Sequence, residues 1–132
     1  MYQLGQFSKE HLNCLKKGIE LYNEQKYWEC HEELEHHWLE YRGDNARLVF
    51  WAIIQAAAAM YHFNDNNLIG IHGLIAKAQD KLRRCESLGV ETPLLEKSLN
   101  WIEFKKLIMS ASLNGEIEDY RVIFDFRFKT YF

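Results

Sequence analysis

The segment LVFWAIIQAAAAMYHF, residues 48–63, is apolar on nearly every side when it is drawn as a helix. A surface helix buries one stripe, whereas a helix that is apolar all round has to be enclosed by other elements. The most apolar part of this segment, residues 48–61, is too short and too polar to span a bilayer. The segment is therefore predicted to be the central, buried helix of an all-α fold.

Amphipathic segments before and after this central helix supply the elements that would enclose it. Their apolar residues recur three and four apart, which is the spacing of one helical face. Gly18 lies beside the apolar face of the first of these helices and is expected to let a neighbouring helix approach closely. Gly43 and Gly89 mark helix ends and Pro93 marks a start. The predicted helices cover about residues 8–24, about 26–41, the central segment capped by Asp44 or Asn45, about 68–88 and about 93–113.

A weak internal repeat indicates how these helices pair. Shifting the chain by 41 residues aligns six positions between residues 22 and 41 with six between residues 63 and 82, which is typical of two helix hairpins in the manner of tetratricopeptide-like units. The aligned pairs are Tyr22 with Phe63, Asn23 with Asn64, Tyr27 with Leu68, His31 with His72, Leu34 with Ile75 and Tyr41 with Leu82. We therefore expect a compact bundle of about five helices built from two hairpins. Residues 1–132 would form a single helical domain with a core at about 10–88, a fifth helix at about 93–113 and a tail at about 116–132.

The tail follows a different pattern from the helices. In DYRVIFDFRFKTYF, residues 119–132, aromatic and aliphatic residues alternate with charged ones, a period of two that predicts a strand. A lone strand either lies as an extended arm over a helical groove or pairs with the same strand of a second copy. We expect the second arrangement, a homodimer contact through this tail.

Composition excludes several classes of protein. A net charge of −3 and a pI near 6.1 show none of the excess of Lys and Arg that proteins binding nucleic acid or anionic lipid usually have. The cysteines, three in number and widely spaced, form neither a disulfide framework nor a CxxC pair, and no targeting or membrane segment is evident. These features predict a protein of the cytoplasm that binds neither nucleic acid nor membrane.

The segment YWECHEELEHHWLEY, residues 27–41, concentrates the chemistry of the chain. On a helical projection His31 and Glu35 fall within the stripe of aromatic residues, whereas His36 and His37 fall on the solvated side. The central helix adds Arg47, Gln55 and His62 on one face, which they share with Trp51. If the second and third helices form an antiparallel hairpin, His31 and Glu32 lie level with Ala56 and Gln55.

Three interpretations of this polar cluster remain open. In the first, His31, Glu35, Gln55 and Arg47 form a satisfied buried hydrogen-bond network that fixes helix docking. In the second, a groove binds a peptide, with His31 and Glu32 at its polar rim. A structural or binding role is favoured over catalysis, because buried polar networks are often purely structural. The candidate binding residues are Trp28, Trp38, Arg47, Trp51, Gln55 and His62, with Tyr27 also lining the groove.

The third interpretation is a metal-dependent, hydrolase-like enzyme. His31 and Glu35, one turn apart, would be ligands of a divalent metal, and Glu32 would act as acid or base. This makes His31, Glu32 and Glu35 the candidate catalytic residues, but a third ligand cannot be assigned. The basic residues Lys77, Lys81 and Arg84 are interpreted as a solvated face of the fourth helix.

Several motifs in order resemble the domain of unknown function 309 family of small helical proteins. The resemblance lies in an aromatic-rich HExxE followed by Trp, an Ile-Gln-centred helix that ends in Tyr-His, and then an Asn and Gly pair. It covers roughly residues 10–88, implies a helical fold and a candidate site, and implies no reaction. Ala52 and the aromatic tail depart from the family pattern. The positions that the pattern matches are His31, Glu32, Glu35, Trp38, Gln55, His62, Asn67 and Gly70.

Overall fold

The computed structural model describes residues 5–132, and this part of the chain is all-α, as the sequence predicts. It contains seven α-helices and one 3₁₀ turn. The helices are α1 (Lys9–Asn23), α2 (Tyr27–Glu40), α3 (Arg47–Asn64), α4 (Leu68–Ser87), α5 (Pro93–Ser98), α6 (Trp101–Met109) and α7 (Arg121–Phe124), and the 3₁₀ turn is Ile117–Tyr120.

Helix α3 lies at the centre, as its all-round apolarity predicts. It packs most extensively against α4 and α2, and α1 packs against α2. Twelve of its eighteen residues are buried, including Phe50, Ile53 and Met60. Small residues at 56, 57 and 59 let the neighbouring helices come close, because each contributes only a methyl group to the interface.

The close approach expected at Gly18 is present. A Cβ atom placed there would lie 2.2 Å from Cδ2 of Leu34, which is itself fully buried. The glycines predicted to end helices also take the expected conformation, since Gly43 has φ 82° and Gly89 has φ 66°. Both values lie in the left-handed region, which residues with a Cβ rarely adopt.

A buried polar network joins the start of α1 to the turn between α2 and α3. The N–H of Ser8 donates to Nδ1 of His11 (2.9 Å), so the Nε2–H of this ring donates to Asp44 Oδ2 (2.9 Å). Asp44 Oδ1 accepts from the backbone N–H groups of Gly5 and Ala46. The predicted capping role of Asp44 is thus met in part: its carboxylate binds the backbone just before α3, while Ala46 is the N-cap.

The single fifth helix expected at 93–113 is wrong, because the chain breaks between α5 and α6. Leu99 is extended (φ −138°, ψ 162°) and forms a β-bridge with Thr130. The side chain of Asn100 adds two hydrogen bonds to the same tail segment, accepting from the N–H of Lys129 (2.7 Å) and donating to the carbonyl of Arg127 (3.2 Å). Contacts with a distant segment therefore interrupt the helix at residues 99 and 100.

The strand expected at residues 119–132 is also wrong up to residue 124, because the 3₁₀ turn and α7 occupy residues 117–124. Beyond them an extended segment lies across its own chain, the first of the two arrangements considered from the sequence. Asn23 holds it by accepting from the N–H of Phe128 (2.7 Å) and donating to its carbonyl (2.9 Å). Phe126 and Phe128 are buried against Phe104. Association of two copies stays a prediction.

Candidate functional site

Most of the candidate residues fall into two groups at opposite ends of α3. Trp28 contacts Tyr61 near the end of α3, and Trp38 contacts Trp51 near its beginning. These pairs fix the register of α2 against α3, and they place His31 level with residue 58. The expected register set His31 level with Ala56, so the observed hairpin is offset by about two residues.

The first group is an aromatic surface beside His31. The ring of Trp28 stacks on that of His31, with centroids 5.0 Å apart and an angle of 19° between planes. The Tyr61 ring lies 5.3 Å from that of Trp28. Trp28 is 46% exposed and Tyr61 is 39% exposed, so both present aromatic surface to solvent.

The closed network expected among His31, Glu35, Gln55 and Arg47 is not formed. Nε2 of His31 lies 3.4 Å from Oε2 of Glu35, whose side chain is 49% exposed rather than enclosed. Gln55 is buried, but neither its Oε1 nor the Nδ1 of His31 has a hydrogen-bond partner within the described residues. Because of the offset register, about three residues or 4.5 Å of helical rise separate His31 from Gln55 along the helix axis.

Arg47 joins the second group instead of reaching Glu35. Its guanidinium carbon lies 4.2 Å from the centroid of the Trp38 ring, and its Nη1 donates to the Trp38 carbonyl (3.5 Å). Trp38 and Trp51 pack with centroids 4.9 Å apart. Burial lowers the pKa of Arg47, and the nearby positive charges of Arg42 and Arg84 lower it further. Arg47 therefore sits among cations and aromatic rings.

The solvated face predicted for Lys77, Lys81 and Arg84 is wrong at Lys81. This side chain is only 7% exposed, and its Nζ lies 4.2 Å from the centroid of the Trp51 ring. Arg84 approaches the same ring at 5.9 Å. The helical spacing of α4 placed these residues on one face, but it did not indicate that α4 lies against Trp51.

His62, Asn67 and Gly70 meet at the turn between α3 and α4. The side chain of Asn67 caps α4 by accepting from the N–H of Gly70 (3.0 Å), and its Nδ2 donates to Nδ1 of His62 (3.2 Å). A Cβ at position 70 would lie 3.0 Å from the His62 ring. These three residues shape a turn, which separates His62 from the other candidates.

The predicted metal ligands His31 and Glu35 gain no third ligand in the part of the chain that the structure describes. Within residues 5–132, no group of three or more His, Cys, Asp or Glu side chains is placed to hold a metal ion. Glu32, which follows His31 directly in the sequence, is exposed. His37, expected on the solvated side, is 20% exposed and lies 2.9 Å from Glu33. It packs towards Phe50, which explains its partial burial.

Sequence reasoning missed several residues that the structure brings to these groups. Tyr61 is not among the predicted site residues, although it is partly exposed and contacts Trp28. A cleft of about 600 Å³ lies elsewhere, between α1 and the tail. Lys16, Asn23 and Phe132 line it, and none of them was a candidate. No signal in a single sequence pairs these distant segments.

Comparisons with known proteins agree with the sequence motifs. The model of the family described as "Domain of unknown function (DUF309)" matches residues 15–74. The chain is 32% identical over 77 residues to the uncharacterized protein YpuF of Bacillus subtilis (strain 168). The match covers 55% of this chain and 44% of the relative, so the chain spans less than half of that relative's length.

No solved structure matches the chain. Among residues 5–132, no helix combines the length and the apolar character needed to cross a membrane. The resemblance stated from the motifs is confirmed, since residues 15–74 of this chain match the family of domain of unknown function 309.

Proposed function

We propose that this chain is a protein-interaction module that binds a basic peptide segment on the outer face of α2. The observation that carries the proposal is an exposed aromatic pair, Trp28 and Tyr61, at the end of a helix with five Glu and no Lys or Arg. Exposed aromatic surface of this kind is typical of interaction sites.

The outer face of α2 consists of Trp28, Glu32, Glu35 and Leu39, all exposed and spaced four, three and four apart. This spacing follows one stripe of a helix over about 16 Å. An aromatic end, two carboxylates and an apolar end match a peptide in which Lys or Arg residues lie between large aliphatic residues. Cations gain further from the faces of Trp and Tyr rings.

The experiment is a selection of random displayed peptides against the immobilised protein, followed by affinity measurements on the enriched sequences. We expect enrichment of Lys or Arg next to large aliphatic residues. Trp28→Ala should weaken binding by about tenfold or more, as truncation of a buried aromatic anchor does. Glu32→Gln combined with Glu35→Gln should weaken binding and reduce its dependence on salt.

Two variants serve as matched controls. Tyr131→Ala removes an exposed aromatic side chain from the tail, and Glu96→Gln removes an exposed carboxylate from α5. Both should leave the affinity unchanged. Selected peptides without basic residues, or affinities equally insensitive to Trp28→Ala and Tyr131→Ala, would contradict the proposal.

A further inference from the structure

A small cleft opens beside the turn between α2 and α3, at the opposite end of α3 from Trp28. Its volume is about 110 Å³, and Arg47, Trp51 and Arg84 are among the side chains that line it. Lys81 lies against the Trp51 ring. A water molecule occupies about 30 Å³ in the liquid, so the cleft has room for a small group about as large as four water molecules.

Aromatic rings hold the cations of this cleft in place. The guanidinium of Arg47 lies over Trp38, and the ammonium of Lys81 lies over Trp51, each 4.2 Å from the ring centroid. Arg47 and Arg84 both lie 5.9 Å from the centroid of Trp51. Long side chains fixed in this way lose less conformational freedom when they bind a ligand.

The charges around the cleft do not balance. Arg47 and Arg84 line the cleft, Lys81 lies over the Trp51 ring, and Arg42 lies close enough to lower the pKa of Arg47. The carboxylates near these four cations are Asp44 and Asp80. Asp80 is 55% exposed and lies 3.5 Å from Lys81 and 3.9 Å from Arg84.

The other carboxylate, Asp44, is committed elsewhere. Its oxygens bind the ring of His11 and the N–H groups of Gly5 and Ala46. Around the cleft, four cations against two carboxylates leave an excess of two positive charges. Within residues 5–132, Arg47 forms no ion pair, and its pKa is lowered by burial and by the charges of Arg42 and Arg84.

We propose that this cleft binds the dianion of a phosphate monoester. A phosphate monoester carries about −1.5 to −2 charges at neutral pH, which matches the excess of two positive charges. The planar guanidinium groups of Arg47 and Arg84 can each donate two hydrogen bonds to its oxygens. The positive end of the α3 dipole lies at the same turn. The rest of the ligand stays outside, because the cleft accommodates only a small group.

The test follows the tryptophan indole N–H signals by NMR while inorganic phosphate is added to the full chain at constant ionic strength. We expect saturable shifts at Trp51 and Trp38. Arg84→Gln should weaken the affinity by about tenfold or more, because it removes a charge-assisted hydrogen bond. Arg83→Gln is the matched control, since Arg83 is the neighbouring exposed arginine on α4 and does not line the cleft.

Arg47→Gln provides a second variant, with its melting temperature recorded alongside the affinity. Phosphoserine and a nucleoside monophosphate, titrated in the same way, distinguish a modified protein from a free nucleotide as the source of the phosphate. The absence of saturable shifts with millimolar phosphate relative to chloride would overturn the proposal. So would an equal loss of affinity in Arg83→Gln and Arg84→Gln, which would indicate a diffuse electrostatic effect. None of these variants touches the outer face of α2.

Discussion

Replacing Gly18 by alanine tests the close approach of α1 and α2. The added Cβ would lie 2.2 Å from Cδ2, 2.4 Å from Cγ and 2.9 Å from Cδ1 of Leu34. Leu34 is fully buried and cannot turn into solvent, so either its rotamer or the separation of the two helices has to change.

Two opposing effects set the size of the change. Overpacking of a well-packed core costs about 1–3 kcal/mol. Alanine in a helix interior is favoured over glycine by about 1 kcal/mol, which offsets part of that cost. We expect Gly18→Ala to lower the free energy of unfolding by about 1 kcal/mol, and by up to about 2 kcal/mol if Leu34 cannot adjust.

The sign should reverse when Leu34 is shortened. Leu34→Ala alone should cost about 2–5 kcal/mol, because it leaves a cavity. In that background Gly18→Ala meets no obstacle, gains the helix preference of about 1 kcal/mol and fills part of the cavity. Urea unfolding of the two single variants, the double variant and the parent chain gives the coupling energy between positions 18 and 34.

Gly73→Ala is the matched control. Gly73 lies within α4, and a Cβ there would have no heavy atom within 4 Å. This substitution should stabilise the protein by about 1 kcal/mol. If Gly18→Ala stabilised the parent chain as much as Gly73→Ala does, the argument from the contact with Leu34 would be refuted.

Two further predictions concern the tail and the thiols. Asn23→Ala should lower the free energy of unfolding by about 1–3 kcal/mol in urea titrations, because it leaves the backbone N–H and carbonyl of Phe128 unpaired. Asn13 is exposed on the same helix, and Asn13→Ala should have little effect. Equal losses in the two variants would contradict this role of Asn23. Burial raises the pKa of both Cys30 and Cys85 to about 12, so iodoacetamide at pH 8 should modify the half-buried Cys14 first, as read by peptide mass. The folded-state pKa values of these two thiols lie above the ordinary value of 9.0, so the unfolded chain loses their protons first as the pH rises. The contribution of the two thiols to stability is therefore complete below pH 9 and is lost as the pH rises towards 12. A free energy of unfolding that rose over this range in the parent but not in Cys30→Ala would contradict the assignment.

The parts of the fold that the sequence predicted depend on local patterns. The apolar character of residues 48–63 was sufficient to place α3 at the centre, and Gly43 and Gly89 marked real helix ends. The break at Leu99 was not predictable in this way. Its extended backbone is held by Thr130, 31 residues further along the chain, and such a contact leaves no periodic signal near Leu99.

The tail shows how one pattern can fit two structures. Tyr120, Phe124, Phe126 and Phe128 alternate with other residues, as in a strand. Tyr120, Ile123 and Phe124 are also spaced three and four apart, as in a helix, and the chain uses the helical spacing up to Phe124 and the extended one beyond it. The choice is made by what the tail packs against.

For the candidate site, the sequence identified the residues that share a face within one helix but not their partners across helices. Trp28, His31 and Glu35 lie near one another on α2, as the projection predicts. An error of two residues in the register was enough to separate His31 from Gln55. The position of Lys81 over Trp51 depends on how α4 lies against α3, for which the sequence provided no register.

The contacts of the tail also determine the order in which the protein can fold during synthesis. Phe124 covers Phe63, and Phe128 packs on Tyr22 and is bonded to Asn23, 105 residues earlier. A ribosome adds about 5–20 residues per second, so α1 to α4 emerge seconds before the segment that covers their aromatic side chains. Until then Tyr22 and Phe63 lack these contacts in the nascent chain. Closure of the aromatic core therefore has to wait for the synthesis of residues 124–128.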